Sequence, residues 1–222
     1  LELPEEAGRP MRGELSLRGQ TYVLGLTPYS MRADGFQLLV QRADGSLEQR
    51  EPAPPATYRG AVEGLPGSAV AASLFEGGLT ATVCLAPGER PWCVQPLALL
   101  GLEAARAAHA VYDSALVQER EGLCATPEPA SASAAPPPTA DAGGSSTKLC
   151  EVAIDCDTQF YTSHGFSEAA TQADVESILN ANEVIFEADL DITYSLTALI
   201  VRTFEPDPYS SFDIVFLLSQ FI

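Results

Sequence analysis

Basic residues are scarce in this chain of 222 residues, which has 12 lysines and arginines against 30 aspartates and glutamates. The imbalance is greatest in residues 149–222, where Arg202 is the only base among 13 acids. A surface with so little positive charge repels phosphate backbones, which excludes nucleic-acid binding as a function. The acidity favours solubility in salt or outside the cell, with cation binding as the alternative.

Long apolar runs are also missing. The longest, Ile214–Ile222, is interrupted by Ser219 and Gln220, and it is shorter than the about 20 residues that span a bilayer. We therefore expect no membrane span. No apolar signal-peptide core follows Leu1, so we expect either a signal that was removed or an excised fragment. Because no cap or turn chemistry closes the last apolar run, we also expect that the chain stops inside a domain.

Residues for catalysis are few. The chain has 2 histidines, His109 and His164, and neither has a partner at metal-ligand spacing. The HExxH and GxSxG motifs and any phosphate-binding glycine loop are absent from the sequence, which leaves no catalytic motif to assign. For both histidines we predict a surface position or a hydrogen-bonded structural role.

Glycine and proline, 17 of each, separate the chain into three regions. Residues 1–125 alternate short apolar runs with turns, which predicts a β-rich domain with Asp-Gly turns at 33–35 and 43–46. Residues 126–148 are rich in Pro, Ala, Ser and Gly and read as a linker. The strands expected in the first region are Thr21–Leu26, Phe36–Arg42, Ala69–Phe75 and Leu79–Leu85, with a helix near Leu102–Ala110.

Residues 149–222 predict a strand, a helix and a second strand. The strands are Leu149–Asp157 and Asp191–Thr203, and the helix is capped by Ser167 and runs to about Ala188. This order favours parallel pairing with a right-handed crossover, and Ser211–Phe221 then begins another helix. The fold class is thus α+β or α/β, a β-rich domain followed by an incomplete βαβα domain. The expected apolar stripe of the helix is Val175, Ile178, Leu179, Asn182, Ile185 and Phe186.

The 5 cysteines allow several roles. Cys84 and Cys93 bracket a turn segment, so they form either a disulfide across a hairpin or two buried thiols. Cys150 and Cys156 lie on one strand face, too far apart to pair with each other. Cys124 stands alone before the linker, where its thiolate can reach the metal of a neighbouring domain, as thiolates are strong zinc ligands.

Several segments resemble the precursors of adamalysin/reprolysin-type metalloproteases, which are metzincins. Residues 148–157, Lys-Leu-Cys-Glu-Val-Ala-Ile-Asp-Cys-Asp, are similar to the first catalytic strand of that family, and residues 178–186 to its first long helix. Tyr58-Arg59-Gly60-Ala61-Val62 resembles the Tyr-x-Gly-x-Val segment of its prodomain. Residues 92–97 resemble a prodomain strand that ends in Pro-Leu, and residues 109–112 a His-x-x-Tyr element ahead of the inhibitory cysteine.

The resemblance implies a role for particular residues. Cys124 would be the cysteine switch that ligates the catalytic zinc in the zymogen, although Ala125 stands where the family usually has glycine. Glu151 would correspond to the first-strand glutamate that can help bind calcium, with an ordinary exposed carboxylate as the alternative. The zinc motif HExxHxxGxxH, which provides the ligands and the general base, would lie beyond Ile222, so this stretch alone would hydrolyse nothing.

The resemblance implies the prodomain and partial catalytic domain of a secreted zinc metalloendopeptidase. The prodomain at 1–125 would contact the catalytic domain and block its cleft, and the substrates of the intact enzyme would be proteins or peptides. The alternative is a non-catalytic secreted binding or inhibitory protein derived from such a precursor.

Overall fold

The computed structural model describes residues 8–75, 78–101, 108–117 and 147–209, which form two sheets and a long helix. The larger sheet, here the barrel sheet, is antiparallel throughout and nearly closes on itself. Its strand order is β1-β2-β5-β6-β7-β8-β9. The bounds are β1 Met11–Leu17, β2 Gln20–Pro28, β5 Thr57–Val62, β6 Ala69–Phe75, β7 Gly78–Cys84, β8 Trp92–Pro96 and β9 His109–Asp113.

The barrel sheet encloses one apolar core. In β7 the buried Leu79, Ala81 and Val83 point into it, while the half-buried Thr80 and Thr82 lie on the outer face. This alternation is the period of two that a sheet with one buried face requires. The predicted β-rich character is confirmed. The core consists of Leu15, Leu17, Leu24, Leu26, Tyr58, Val62, Val70, Ala72, Leu74, Leu79, Ala81, Val83 and Val94.

The smaller sheet, here the mixed sheet, has the strand order β10-β11-β3-β4. Strands β10 and β11 pair in parallel, as do β11 and β3, whereas β3 and β4 form an antiparallel hairpin. Two helices, α1 and then the long α2, connect β10 to β11. The predicted strand–helix–strand unit with parallel pairing is confirmed. The bounds are β3 Arg32–Gln41, β4 Leu47–Arg50, β10 Lys148–Cys156, β11 Ile192–Val201, α1 Thr158–Ser163 and α2 Glu168–Leu190.

Strands β3 and β4 correct the expected grouping of strands. The sequence places them with the other strands of residues 1–125, but in the structure they extend the sheet of the C-terminal region. The physical reason is packing, because Leu38 and Val40 fill a second core together with Val175, Leu199 and Val201.

The two Asp-Gly turns have different outcomes. The turn predicted at 43–46 connects β3 to β4, with Gly45 at φ 84° and Asp44 accepting from the Ser46 N–H. The turn predicted at 33–35 is wrong, because these residues lie inside β3, where the pairing with β11 jumps from Arg32 to Gln37. Asp34-Gly35 therefore interrupts the ladder without reversing the chain.

Helix α2 begins where the sequence predicts. The Ser167 hydroxyl accepts from the Ala170 N–H at 3.2 Å, and the helix ends at Leu190 with Asp191 in the left-handed region. The predicted apolar stripe is only partly correct, since Ile178 is 47% and Phe186 40% exposed. Because α2 packs on both sheets, its buried residues also include polar ones on a second face, namely Thr171, Gln172, Glu176, Asn180 and Glu183.

Other predictions fall on parts that the structure does not describe. These are the linker up to residue 146, Cys124, residues 102–107 of one predicted helix and the whole of the predicted helix Ser211–Phe221. The described end of the helix predicted at 102–110 is wrong, because His109 and Ala110 pair with β8 as part of β9. The predicted linker is one residue too long, because Lys148 pairs with β11 as part of β10. Within the described ranges, no helix is both long and apolar enough to cross a bilayer.

Candidate functional site

Four polar side chains of α2 form a buried row. We call these four residues and their partners Arg32 and Arg59 the polar seam. Gln172, Glu176, Asn180 and Glu183 are spaced by four, four and three residues, which places them on one helix face. Each is at most 3% exposed. They face the strands of residues 8–117, here the N-terminal part, whereas α2 belongs to residues 147–209, here the C-terminal part. Burying such groups requires hydrogen-bond partners.

Arg59 of β5 provides the largest set of these partners. Its Nε donates to Asn180 Oδ1 at 2.7 Å, and one terminal nitrogen donates to Glu183 Oε2 at 2.7 Å. The guanidinium also lies 4.9 Å from the centre of the Tyr29 ring. Planar guanidinium groups suit such a combination of ion pairing and stacking. Arg59 thus connects the barrel sheet to the middle of α2.

Glu183 is fully buried and accepts from both parts of the chain. The Tyr29 hydroxyl donates to Oε2 at 2.8 Å, and the Tyr194 N–H donates to Oε1 at 2.6 Å. Burial, together with the hydrogen bond to Glu183, raises the pKa of Tyr29 above its usual value. With Arg59 included, three donors satisfy this carboxylate.

Asn180 fixes the helix to the backbone of the barrel sheet. Its Nδ2 donates to the carbonyl oxygens of Ala72 at 2.9 Å and of Tyr58 at 3.3 Å. These two residues are directly paired on β5 and β6. The Asn180 side chain therefore fixes the position of α2 relative to β5 and β6.

A second ion pair lies about two turns nearer the start of α2. Arg32 Nε donates to Glu176 Oε1 at 2.8 Å, and its terminal nitrogen donates to the Ala53 carbonyl at 2.8 Å. Gln172 donates to the same carbonyl and accepts from the Ala53 N–H. Burial raises the pKa of the Glu176 carboxyl, and the nearby Arg32 charge opposes that rise.

The Tyr-x-Gly-x-Val segment acquires a physical explanation from these contacts. Tyr58 and Val62 fill the barrel core, and the Tyr58 hydroxyl accepts from the Gly8 N–H. A Cβ on Gly60 would lie 1.8 Å from the Gly25 carbonyl oxygen, so this position has no room for a side chain. Sequence reasoning missed Arg59, and the one available signal was an arginine between two core residues in a strand.

The predicted cysteine sites are only partly described. Cys124 lies outside the described residues. Cys84 and Cys93 are not bonded to each other in this structure, and burial raises the pKa of both thiols. Cys93 lies directly opposite Thr82, so Cys84 is two residues further along the same face of β7. The disulfide between them stays a prediction.

Glu151 lies exposed on β10, beside the exposed Cys150. Within the described ranges, no group of three or more His, Cys, Asp or Glu side chains is placed to hold a metal ion. Calcium at Glu151 stays a prediction. Both histidines are hydrogen-bonded: His109 accepts from the Leu79 N–H, and His164 contacts Asp174 at 3.0 Å.

Comparison with known proteins adds no family. No protein-family model matches the chain, and no curated protein sequence matches it significantly. The resemblance to metalloprotease precursors therefore depends on the order and spacing of its motifs. The polar seam is an independent structural observation.

Proposed function

We propose that this chain is the N-terminal portion of a secreted zinc metalloendopeptidase precursor. Its N-terminal part would be the inhibitory prodomain, residues 126–146 a cleavable linker, and its C-terminal part the first βαβ unit of the catalytic domain. The parallel pairing of β10 and β11 around α2 supports this assignment of the C-terminal part. The motif resemblance supports the choice of enzyme class.

The observation that carries the proposal is the polar character of the contact that one face of α2 makes with the N-terminal part. Interfaces between partners that separate are more polar than domain cores. In the seam, Gln172, Glu176, Asn180 and Glu183 of α2 meet polar groups of the N-terminal part. If the N-terminal part were removed, water could replace these groups, and α2 would present a hydrophilic face. A removable cover needs such a face.

Zinc would supply an activated water for peptide hydrolysis in the intact protein. The described residues provide no ligand set for it, so we derive no catalytic step from them. Their part in the proposal is to hold the N-terminal part against α2. The role proposed for Cys124 is to ligate the zinc through its thiolate until the linker is cut.

The test uses the complete precursor as it is encoded, with zinc present. We expect no peptidase activity before the linker is cut, activity once the linker is cut and the N-terminal part has been removed, and loss of that activity when zinc is chelated. Cys124→Ala should give activity in the uncut precursor, whereas the control Cys93→Ala should not. Absence of zinc-dependent peptidase activity after cutting and removal of the N-terminal part would overturn the proposed class, while an inactive uncut Cys124→Ala variant would overturn the switch alone.

A non-catalytic binding protein is the second candidate, and the shared mixed sheet favours it. Because β3 and β4 extend the sheet of the C-terminal part, the two parts make one folded unit. A binding protein would be folded and monodisperse and would have no peptidase activity in the same assay.

A further inference from the structure

We propose that the β3–β4 hairpin is a donated strand pair, and that the edge of β11 is its binding site. The N-terminal part would then remain bound through this edge after the linker is cut. The partner recognised at the edge is an extended segment with apolar residues at alternate positions. This inference concerns the contact between the two parts and holds whether or not the intact protein is a peptidase.

The backbone of β11 defines the site. Ala198, Leu199, Ile200 and Val201 pair in parallel with Gln37, Leu38, Leu39 and Val40. The ladder begins where the Leu196 N–H donates to the Met31 carbonyl at 2.8 Å. Addition of a strand to a sheet edge gives affinity through the main chain and specificity through alternate side chains.

The side chains of β3 complete the core beneath α2. Leu38 and Val40 pack in the same cluster as Val175, Leu199 and Val201, and all five are nearly or fully buried. Leu38 and Val40 come from the N-terminal part and the other three from the C-terminal part. Without the hairpin, the core of the C-terminal part would therefore lack two of its buried side chains. Loss of the hairpin would return this apolar surface to water at a cost proportional to its area.

Polar contacts with the C-terminal part hold both ends of the hairpin. At the start of β3, Arg32 pairs with Glu176. Beyond the end of β4, the Ala53 backbone exchanges two hydrogen bonds with the Gln172 side chain. Thr203 donates to the Gln41 carbonyl at 2.6 Å, at the far end of β3. Every contact in this set joins the hairpin region to residues beyond the linker.

The hairpin also brings its own outer edge. Strand β4 has four residues, and its Glu48 forms ion pairs with Arg42 and Arg50. Short, charged edge strands prevent further strands from adding. The hairpin is therefore suited to form the last two strands of the mixed sheet, with β4 as its outer edge.

The test is made on the full chain with a protease recognition sequence substituted within residues 126–147. After cutting, we expect the two parts to co-elute in size-exclusion chromatography. The amides of Ala198–Val201 should keep the hydrogen-exchange protection that they have before cutting. Prompt separation of the cut parts at micromolar concentration would overturn the proposal.

A matched pair of variants identifies the strand responsible. Leu38→Ala removes a buried contact of β3, and we expect the cut parts to dissociate at least about tenfold faster. Leu39→Ala shortens the half-buried side chain next to it, on the opposite face of the strand, and should change the rate by less than about threefold. Equal effects of the two variants would contradict a role for the donated face.

A second variant covers the case in which Leu38→Ala does not fold. Val40→Thr keeps the side-chain shape but buries a hydroxyl in the same core, and it should also speed dissociation of the cut parts. An unchanged dissociation rate would count against the proposal. None of these measurements uses peptidase activity, so their failure and the failure of the proposed enzyme class are distinguishable.

Discussion

At the scale of single residues, Arg59 is the contact on which the seam depends most. It satisfies Glu183, which is 0% exposed, and it also bonds Asn180. We expect Arg59→Ala to lower the free energy of unfolding by about 3–5 kcal/mol, because it leaves a buried carboxylate without its ion-pair partner. Urea denaturation measures this loss.

The control for Arg59 is another arginine of the barrel sheet. Arg12 pairs with Glu63 at the surface, so Arg12→Ala should cost less than about 1 kcal/mol. Similar losses for the two variants would mean that the seam contributes no more than a surface ion pair.

Glu176 makes the stability of the fold depend on pH. Burial raises its pKa from the ordinary value of 4.5, so between that value and the raised pKa the folded state binds more protons than the unfolded state. The contribution of Glu176 is therefore fully present below pH 4.5 and is lost as the pH rises through the raised pKa. Glu176→Gln removes this dependence.

The measurement for Glu176 is urea denaturation of wild type and variant at a series of pH values. The stability of Glu176→Gln relative to wild type should increase as the pH rises from 4.5. Glu63→Gln provides a control of opposite sign in the range below pH 4.5, because Arg12 lowers the pKa of Glu63 from that value. If the difference in stability between Glu176→Gln and wild type were constant across the pH range, the pKa of Glu176 would not be raised in the folded state.

At the scale of elements, the close approach of β2 and β5 is a constraint that only glycine meets. A Cβ on Gly60 would lie 1.8 Å from the Gly25 carbonyl oxygen, and backbone cannot move aside as a flexible side chain can. We expect Gly60→Ala to destabilise the protein by about 3 kcal/mol or more. Gly35→Ala, where no atom lies within 4 Å of the added carbon, is the control and should be nearly neutral.

Thermal or urea unfolding of the two glycine variants measures the difference. If Gly60→Ala were as stable as Gly35→Ala, the two strands would be able to separate at no cost. The barrel sheet would then be less tightly paired than its register indicates.

Local sequence signals predicted where helices and strands begin and end better than they predicted which faces are buried. The Ser167 cap and the β-branched run near residues 192–201 marked α2 and β11 correctly, since capping and strand propensity act within a few residues. The apolar stripe of α2 was less well predicted, because periodicity does not reveal that a helix has a sheet on each side. For the same reason, the sequence pattern did not indicate that Gln172 and Glu183 are buried.

At the scale of the whole molecule, the shared mixed sheet predicts cooperative unfolding. The chain has 1 tryptophan, Trp92 in β8, so its fluorescence reports on the barrel sheet. The longest helix among the described residues is α2, with 23 residues in the C-terminal part, so circular dichroism at 222 nm reports on that part. Because β3 and the polar seam join the two parts, the two signals should change at the same denaturant concentration.

The control for this experiment is Arg59→Ala, which weakens the contact between the parts. It should lower the shared midpoint and is the variant in which the two signals would first separate. Two well-separated transitions in the wild type would contradict a single cooperative unit.

Long-range pairing could not be predicted from the sequence. Strand β3 was correctly recognised as a strand, but its partner β11 lies more than 150 residues away along the chain. The composition of residues 126–148 suggested a boundary, and a boundary in sequence led to the wrong grouping of β3 and β4. The seam also escaped prediction, since neither Arg32 nor Arg59 stands in a pattern that names its acidic partner.

The two edge strands of the mixed sheet differ in length and charge, so they are not equally suited to pair with a further strand. One end finishes in the short, charged β4, whereas the other is β10, a strand of nine residues. No strand among the described residues pairs with the outer side of β10, where Leu149 is 65% exposed. Among the described strands, β10 is therefore the edge better suited to the addition of a further strand.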